Sequence, residues 1–537
     1  MMKVELWRQT VITLTCRKIP ENPFLDIEII GVFVGPNGEL IRREAYWDGE
    51  NRYGLSFAPV AIGVWRYTID APEETGLNGL SGELECVPYT GELPIYQHGF
   101  LRVSDNNRFL CHADGTPFFW LGDTHWAFAA EERWDESNHP AMDSMFRGIA
   151  DRRAAQGFTV YQTNLRCNEH EDLFWDSESE TDRPNISYFR QELDRRMQYI
   201  ADLGFVNALG VGWFQAAQSD TLRVKRFVRY LTARYGSLPV VWTLAGEVAG
   251  YFPDPRRSRF LENWKDIARY QASIDGYHNL QTAHATNERP FFDAYYDEEW
   301  FDFTLNQAGH GDLPINAHWY RLFRATHSPK PFVEGEAFYE FVSTLEENGT
   351  RLCTPDMLRR VAYISMQTGG CGYTYGAQGI WDCVWEKGMP QTDRGFNAFD
   401  VTWVEAVDGI GAVQMGYMKR FYMGQRFWEL SPHDEEEEIH TADPFALKKP
   451  LALASADGRR WILYYTYDIS SWMKPQLHGF NDGVYRGRWF DPRTGAYLTK
   501  EVSAISEGGT LTAPGIPDRS DWLLVLEQND EKECKSK

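Results

Sequence analysis

Three times between residues 142 and 245 the chain repeats one device: apolar residues at helical spacing, a glycine, then a short apolar run. Met142, Met145, Phe146 and Ile149 line one face of a helix, Gly157 stops it, and "FTVYQTN" comes next. Leu193, Met197 and Ile200 lead to Gly204 and "FVNALGVGW"; Val224, Phe227, Val228 and Leu231 lead to Gly236 and "LPVVWTLAGE". The spacing is that of a helix with one buried face, and glycine just past a helix end tolerates the left-handed backbone that closes it. Strand-like runs near 117–123, 158–164, 205–212, 239–245, 279–284, 301–306, 331–336 and 371–377 make eight at βα spacing. That pattern predicts a (β/α)8 barrel. A doubly wound open sheet is the alternative. It favours fewer strands and a G-x-G-x-x-G turn, which "GGCGYTYG" (Gly369 to Gly376) is not.

Both flanks change period. Residues 1 to 95 carry short alternating runs such as "VELWRQTVITLTC" and "GVWRYTIDAP", separated by Gly, Pro, Asn and Asp. Past residue 445, "WILYYTYDI", "GVYRGRWFDPRTGAYL" and "DWLLVLEQ" alternate again, with "DPRTG" as a hairpin turn. The expected fold class is α/β: a TIM barrel over 96–440, flanked by an immunoglobulin-like β-sandwich over 1–95 and a C-terminal antiparallel β-sandwich over 441–530.

Composition narrows the ligand. A formal charge of -23 argues against nucleic acid or an anionic membrane, which are bound through Lys and Arg. A neutral ligand is compatible with it. The 20 Trp, 27 Tyr and 32 Phe suit either platforms for sugar rings or large cores, and composition does not choose. No apolar run is long enough to span a membrane, and the first residues lack the apolar stretch of a signal peptide. The eight cysteines include no C-x-x-C, so free thiols in a reducing cytoplasm are expected. The run "DEEEEIH" (Asp434 to His440) reads as a solvated loop.

In a (β/α)8 enzyme the chemistry sits at the C-terminal ends of the strands. Those ends carry Asp123, His125 and Trp126 on strand one, Asn164 on strand two, Trp213 on strand three and Glu247 on strand four. They carry His284 on strand five, Gln307 and His310 on strand six, Glu336 on strand seven, and Tyr375 and Trp381 on strand eight. Strand seven lies in "PFVEGEAFYE", which sets Glu334, Glu336 and Glu340 into an otherwise apolar stretch. Glycoside hydrolysis needs two positioned carboxyl groups, and Glu247 and Glu336 suit it. Helix caps or buried ion pairs are the competing account of such acids. Glu334, deeper in the strand, calls for a partner, for which Arg166 is a candidate; Glu340 falls on the loop. Asp123, His125, His284 and His310 form no tight metal-ligand spacing, so no metal is expected.

Several motifs resemble one family. "FLRVSDNNRFLCHADGTPFFWLGDTHW", "NQAGH" and "GEAFYE" are similar, in order, to the first-strand, sixth-strand and seventh-strand motifs of apiosidase-like glycosidases, glycoside hydrolase family 140. The resemblance covers roughly residues 97 to 440. It implies a retaining two-carboxylate mechanism with Glu247 as acid/base and Glu336 as nucleophile. The sequence departs from the family pattern at Gly246, where Asn usually precedes the acid, at Ala337, which replaces Pro, and at Gly309, which replaces Ser. The expectation is a cytoplasmic, exo-acting β-glycosidase for short oligosaccharides or glycosides, without cofactor. Asp123, His125, Asn164, His284, Gln307, His310 and Tyr375 would meet sugar hydroxyls, and Trp126, Trp213 or Trp381 would stack on the ring. An endo-glycanase on the same fold, a non-catalytic carbohydrate-binding protein, and homo-oligomerisation all stay open.

Overall fold

The computed structural model describes residues 1–129, 132–139, 144–167, 169–177, 182–218, 220–248, 254–284, 294–310, 329–346, 349–389, 398–433, 449–466, 469 and 474–528. Met142, the acidic run 434–440 and Cys534 lie outside the described residues.

Seven parallel strands curl into one sheet: Val240–Gly246, Val206–Trp213, Val160–Asn164, Trp120–His125, Gly372–Tyr375, Phe332–Glu336 and Thr304–Gln307, in that order. In chain order these are barrel strands one to four and six to eight. The expected fifth strand is reduced to isolated bridges, Gln281 with Trp242 on one side and His284 with Leu305 on the other. Backbone bonds reinforce them: Thr282 N–H donates to Trp242 O at 2.8 Å, and Asp302 N–H to Gln281 O at 2.9 Å. This thin strand closes the barrel between strands four and six. Side chains fill the interior: Trp120 Nε1 donates to Thr374 Oγ1, Thr374 Oγ1 to Gln162 Oε1, and Gln162 Nε2 to Gly335 O. Strands one, two, seven and eight thus meet through side chains inside the barrel, as its packed core requires.

Helices Met145–Ala155, Asp194–Asp202, Thr221–Tyr235, Arg257–Ile274, Pro355–Gln367 and Ile410–Gly424 are among those covering the sheet. Gly157 and Gly204 take φ of 88° and 85°, the left-handed stop expected of them. Gly236 does not, at φ −65°. It is required for space instead, since a Cβ there would stand 2.6 Å from Thr232 O. Among the described residues no helix is long and apolar enough to cross a membrane.

The N-terminal residues form a five-stranded and a three-stranded sheet. Between them lies a separate core that includes Phe33, Leu55, Phe57, Trp65 and Leu84. Phe33 stacks on Phe57 with ring centroids 3.9 Å apart. One strand pair there, Met2–Glu5 with Ser81–Val87, is parallel. The C-terminal strands are all antiparallel and hydrogen-bonded into one continuous eight-stranded sheet beginning at Leu430. It meets the barrel where Tyr464 stacks on Tyr363 and Asp521 accepts from Arg359 Nε and Nη2 at 2.9 and 2.8 Å.

Candidate active site

Strand four reaches Glu247 through a distortion. Its register against strand three runs Leu209 with Trp242, then Gly210 with Leu244, so Thr243 is an extra residue. Such a bulge bends a strand and re-aims the residues beyond it. Leu244 and Glu247 both take left-handed backbone, φ 56° and 49°, a region that strains any residue with a Cβ. Gly246 is obligatory here: a Cβ would lie 2.1 Å from the Trp213 ring, which packs against this backbone.

Strands six and seven carry a second irregularity. Asn306 pairs with Glu334 and Gln307 with Glu336, skipping Gly335. Two consecutive amides thereby serve two acids spaced by two. Asn306 Nδ2 donates to Glu334 Oε2 at 2.6 Å, and Ala308 N–H donates to Glu334 Oε1 at 3.0 Å. Gln307 Nε2 donates to Glu336 Oε1 at 3.0 Å and to Glu247 Oε1 at 3.2 Å. One amide nitrogen touches both carboxylates, so those two oxygens are no more than about 6 Å apart, against carboxyl separations of about 5–5.5 Å in retaining glycosidases and 6.5–9.5 Å in inverting ones.

Glu336 is buried and ringed by donors. His310 Nε2 stands 2.9 Å from its Oε1 and His284 Nε2 3.1 Å from its Oε2. Burial by itself would raise its pKa, but the two histidines hold the carboxyl well below the usual glutamate range. Trp126 meets His284 edge-on at 5.1 Å and Trp213 at 6.0 Å. On the other side Tyr339 lies 4.2 Å from the His310 ring and 6.4 Å from Trp381. Two buried polar atoms in this group, Gln307 Oε1 and His284 Nδ1, make no hydrogen bond among the described residues. Unsatisfied buried polar atoms are rare enough in native proteins to call for an explanation, and a ligand supplies one.

The structure therefore gathers Glu247, Glu336, Trp126, Trp213, His284, Gln307 and His310, with Trp381 beyond Tyr339. Four other expectations are corrected. Asp123 faces the helix layer, its Oδ2 3.0 Å from Arg153 Nε, both side chains fully buried. Burial pushes its carboxyl up to about 6 against the pull of Arg153. His125 also faces outward, at 2.6 Å from the Tyr161 hydroxyl and 2.9 Å from Cys383 Sγ. Burial lowers its pKa to about 3. Tyr375 turns the same way and donates to Glu340 Oε2 at 2.7 Å. The two-residue period explains the first pair: on strand one, Thr124 and Trp120 take the interior, leaving Asp123 and His125 behind the wall. Asn164 is committed to backbone, donating to Gly212 O and accepting from Arg166 N–H.

The partner assigned to Glu334 also changes. Arg166 pairs with Glu169 on its own loop, and Glu334 accepts from the Asn306 amide and the Ala308 N–H. Glu340 is a helix cap. It is buried and accepts from Gly411 N–H at 3.1 Å in the first turn of the helix Ile410–Gly424. Tyr339 was not among the expected site residues. Its signal was position, three residues past Glu336 in "GEAFYE". Among the described residues no group of three or more His, Cys, Asp or Glu side chains is set to hold a metal ion.

The fold and the site define the class: a (β/α)8 barrel in which one amide touches the carboxylates of Glu247 and Glu336 at the ends of strands four and seven. The chain belongs to the apiosidase-like family, whose catalytic-domain model matches residues 104–429, more than half its length. A domain of unknown function, DUF5060, matches residues 3–72. No curated protein matches. Among solved structures, a provisionally assigned glycoside hydrolase from Bacteroides vulgatus is similar at 16% identity and TM-score 0.73, over 98% of this chain and 100% of that one. A glycoside hydrolase family 5 protein from the same organism is similar at 21% identity and TM-score 0.65, over 84% of this chain and 97% of that one. At such identities the two likenesses establish the fold. Family membership makes the chain glycoside-hydrolase-like.

Proposed function

We propose that this chain is a retaining, exo-acting β-glycosidase of apiosidase-like type, removing terminal sugars from short oligosaccharides or glycosides. The observation that carries the reading is Gln307 Nε2 donating to Glu247 and Glu336 together, which brings one oxygen of each within about 6 Å, short of the roughly 6.5–9.5 Å carboxyl separation of inverting enzymes. Glu336 is the nucleophile: its histidine neighbours favour the anion that must attack the anomeric carbon. As that bond forms, the bond to the leaving oxygen breaks and Glu247 delivers its proton there. Glu247 then takes a proton from water, which attacks the anomeric carbon and displaces Glu336. Trp126 and Trp213, in edge contact at 6.0 Å, are the rings a sugar would meet beside the carboxylates, and His284 Nδ1 is open to a sugar hydroxyl. The division into units 1–95, 96–440 and 441–530 belongs to this proposal, supported by the separate core of the first.

The test is turnover of aryl β-glycosides, apioside, arabinoside, xyloside and glucoside among them, with the first-formed anomer tracked by proton NMR. Release of the β-anomer supports the reading. Release of the α-anomer overturns the retaining mechanism, and inactivity across the panel overturns the β-glycosidase assignment.

A further inference from the structure

Gln307 has a constraint that the two carboxylates impose. Its amide nitrogen carries two hydrogens, and one goes to Glu336 Oε1 at 3.0 Å, the other to Glu247 Oε1 at 3.2 Å. A flipped amide would aim its carbonyl oxygen at the Glu336 carboxylate, which repels it, so Glu336 sets the orientation. The remaining atom, Oε1, can only accept. It is buried within a residue 7% exposed, and no donor among the described residues reaches it. A buried acceptor left without a donor is a standing penalty, removed when a ligand hydroxyl arrives.

We propose that Gln307 is a specificity-determining residue that reads the hydroxyl on the ring carbon next to the anomeric carbon. The inference rests on the glycosidase reading above. Position supports it: the anomeric carbon must sit where both carboxylates reach it, and the amide that touches both lies beside that point. The hydroxyl nearest such an amide is the one on the adjacent carbon. Among the described residues Glu247 is the polar side chain that the end of strand four presents, because Gly246 has no side chain and Trp213 and the Asn164 amide, which is bonded to backbone, stand where one would be. An acceptor with both N–H groups committed accepts a hydroxyl but finds nothing in a hydrogen at the same place. A hydroxyl donating to Oε1 also polarises the amide, strengthening both N–H bonds to the carboxylates as they react.

The experiment takes an aryl β-glycoside from the panel that the enzyme turns over and compares it with its counterpart lacking that hydroxyl. Wild-type protein, Gln307→Leu and Gln307→Met are assayed, with melting temperatures recorded. Sites built to hydrogen-bond a substrate hydroxyl reject the analogue lacking it by roughly 10⁴-fold or more. A wild-type kcat/KM at least about 10³-fold lower for the deoxy substrate, falling to within about tenfold in both variants, is the expected result. Deoxygenation makes the glycosidic bond intrinsically easier to break, so a loss of this size is a stringent sign. A wild-type ratio within about tenfold overturns the inference and leaves the glycosidase reading standing. Variants that keep the full wild-type ratio do the same. Absence of turnover on every parent glycoside overturns both. The wild-type comparison needs no variant, so a poorly folding substitution does not decide the outcome.

Discussion

At the scale of residues, one decapeptide shows three ways to bury a carboxylate. Glu336 takes two histidines and an amide, Glu334 takes an amide and a backbone N–H, and Glu340 takes a tyrosine hydroxyl and the first turn of a helix. The consequences differ. Glu336→Gln should lower kcat by at least about 10⁴-fold, since an amide cannot form the glycosyl intermediate, while circular dichroism stays unchanged. The folded pKa of Glu336 lies below its ordinary value of 4.5, so its stabilising contribution is present above that pH and drains away as pH falls. The stability of wild type relative to Glu336→Gln should therefore shrink on acidification from neutral pH through the carboxylate range, and denaturant titrations at several pH values check it. Glu334 accepts from the Asn306 amide and the Ala308 N–H, and Glu334→Gln, which weakens both bonds, should reduce unfolding free energy by about 1–3 kcal/mol. Retention of wild-type stability would contradict the donors assigned to it.

Elements act on the site through their ends. The helix Ile410–Gly424 begins against Glu340, and a Cβ at Gly409 would lie 2.5 Å from Glu340 Oε2 and 3.0 Å from the Tyr375 hydroxyl. Gly409 has φ −50°, so its absent side chain answers a demand for room, not for backbone freedom. Gly409→Ala should cost about 1–3 kcal/mol of stability through overpacking. Because the same loop leads back through Tyr339 to Glu336, kcat should fall as well. Thermal unfolding and kinetics of the one variant read both effects. Strands six and seven work similarly: without the skipped Gly335, Asn306 and Gln307 would alternate faces, and one acid would lose its amide.

Over the whole molecule, the flanking sheets complete the barrel. Arg43, on the N-terminal sheet and 1% exposed, donates to Thr232 O at 2.8 Å and Ala233 O at 3.0 Å, carbonyls at the end of the helix Thr221–Tyr235. A cation at a helix C-terminus also meets the negative end of its dipole. The Tyr277 hydroxyl adds a second tie, donating to Ala58 O at 2.8 Å. Arg43→Met should remove these bonds and leave buried Asp275 without the cation beside it, destabilising by about 3 kcal/mol or more. Calorimetry should show a single wild-type transition splitting in this variant, the N-terminal unit melting first. One unbroken transition at the wild-type temperature would mean that the ties carry no coupling.

The sequence by itself determined the element types and the acids that end them. Helical spacing closed by glycine, and apolar runs at βα intervals, leave few ways to bury both faces of a parallel sheet. Strand-end position brought forward Glu247, Glu336, Gln307, His284 and His310, which the fold sets within hydrogen-bond reach of one another. Only the tertiary structure decided which side chains face inward. Asp123, His125 and Tyr375 share strand ends with the residues the fold gathers, but a period of two sends alternate residues behind the wall, and a sequence does not mark where that period begins. Bulges at Thr243 and Gly335 shift the period further, and left-handed backbone at Glu247 turns an ordinary strand end into a re-aimed one. Partner choice for Glu334 and Glu340 was equally hidden. Hydrogen-bond donors for a buried acid come from whatever packs beside it, here a neighbouring strand and a helix beginning some seventy residues on, as the Glu340–Gly411 bond shows.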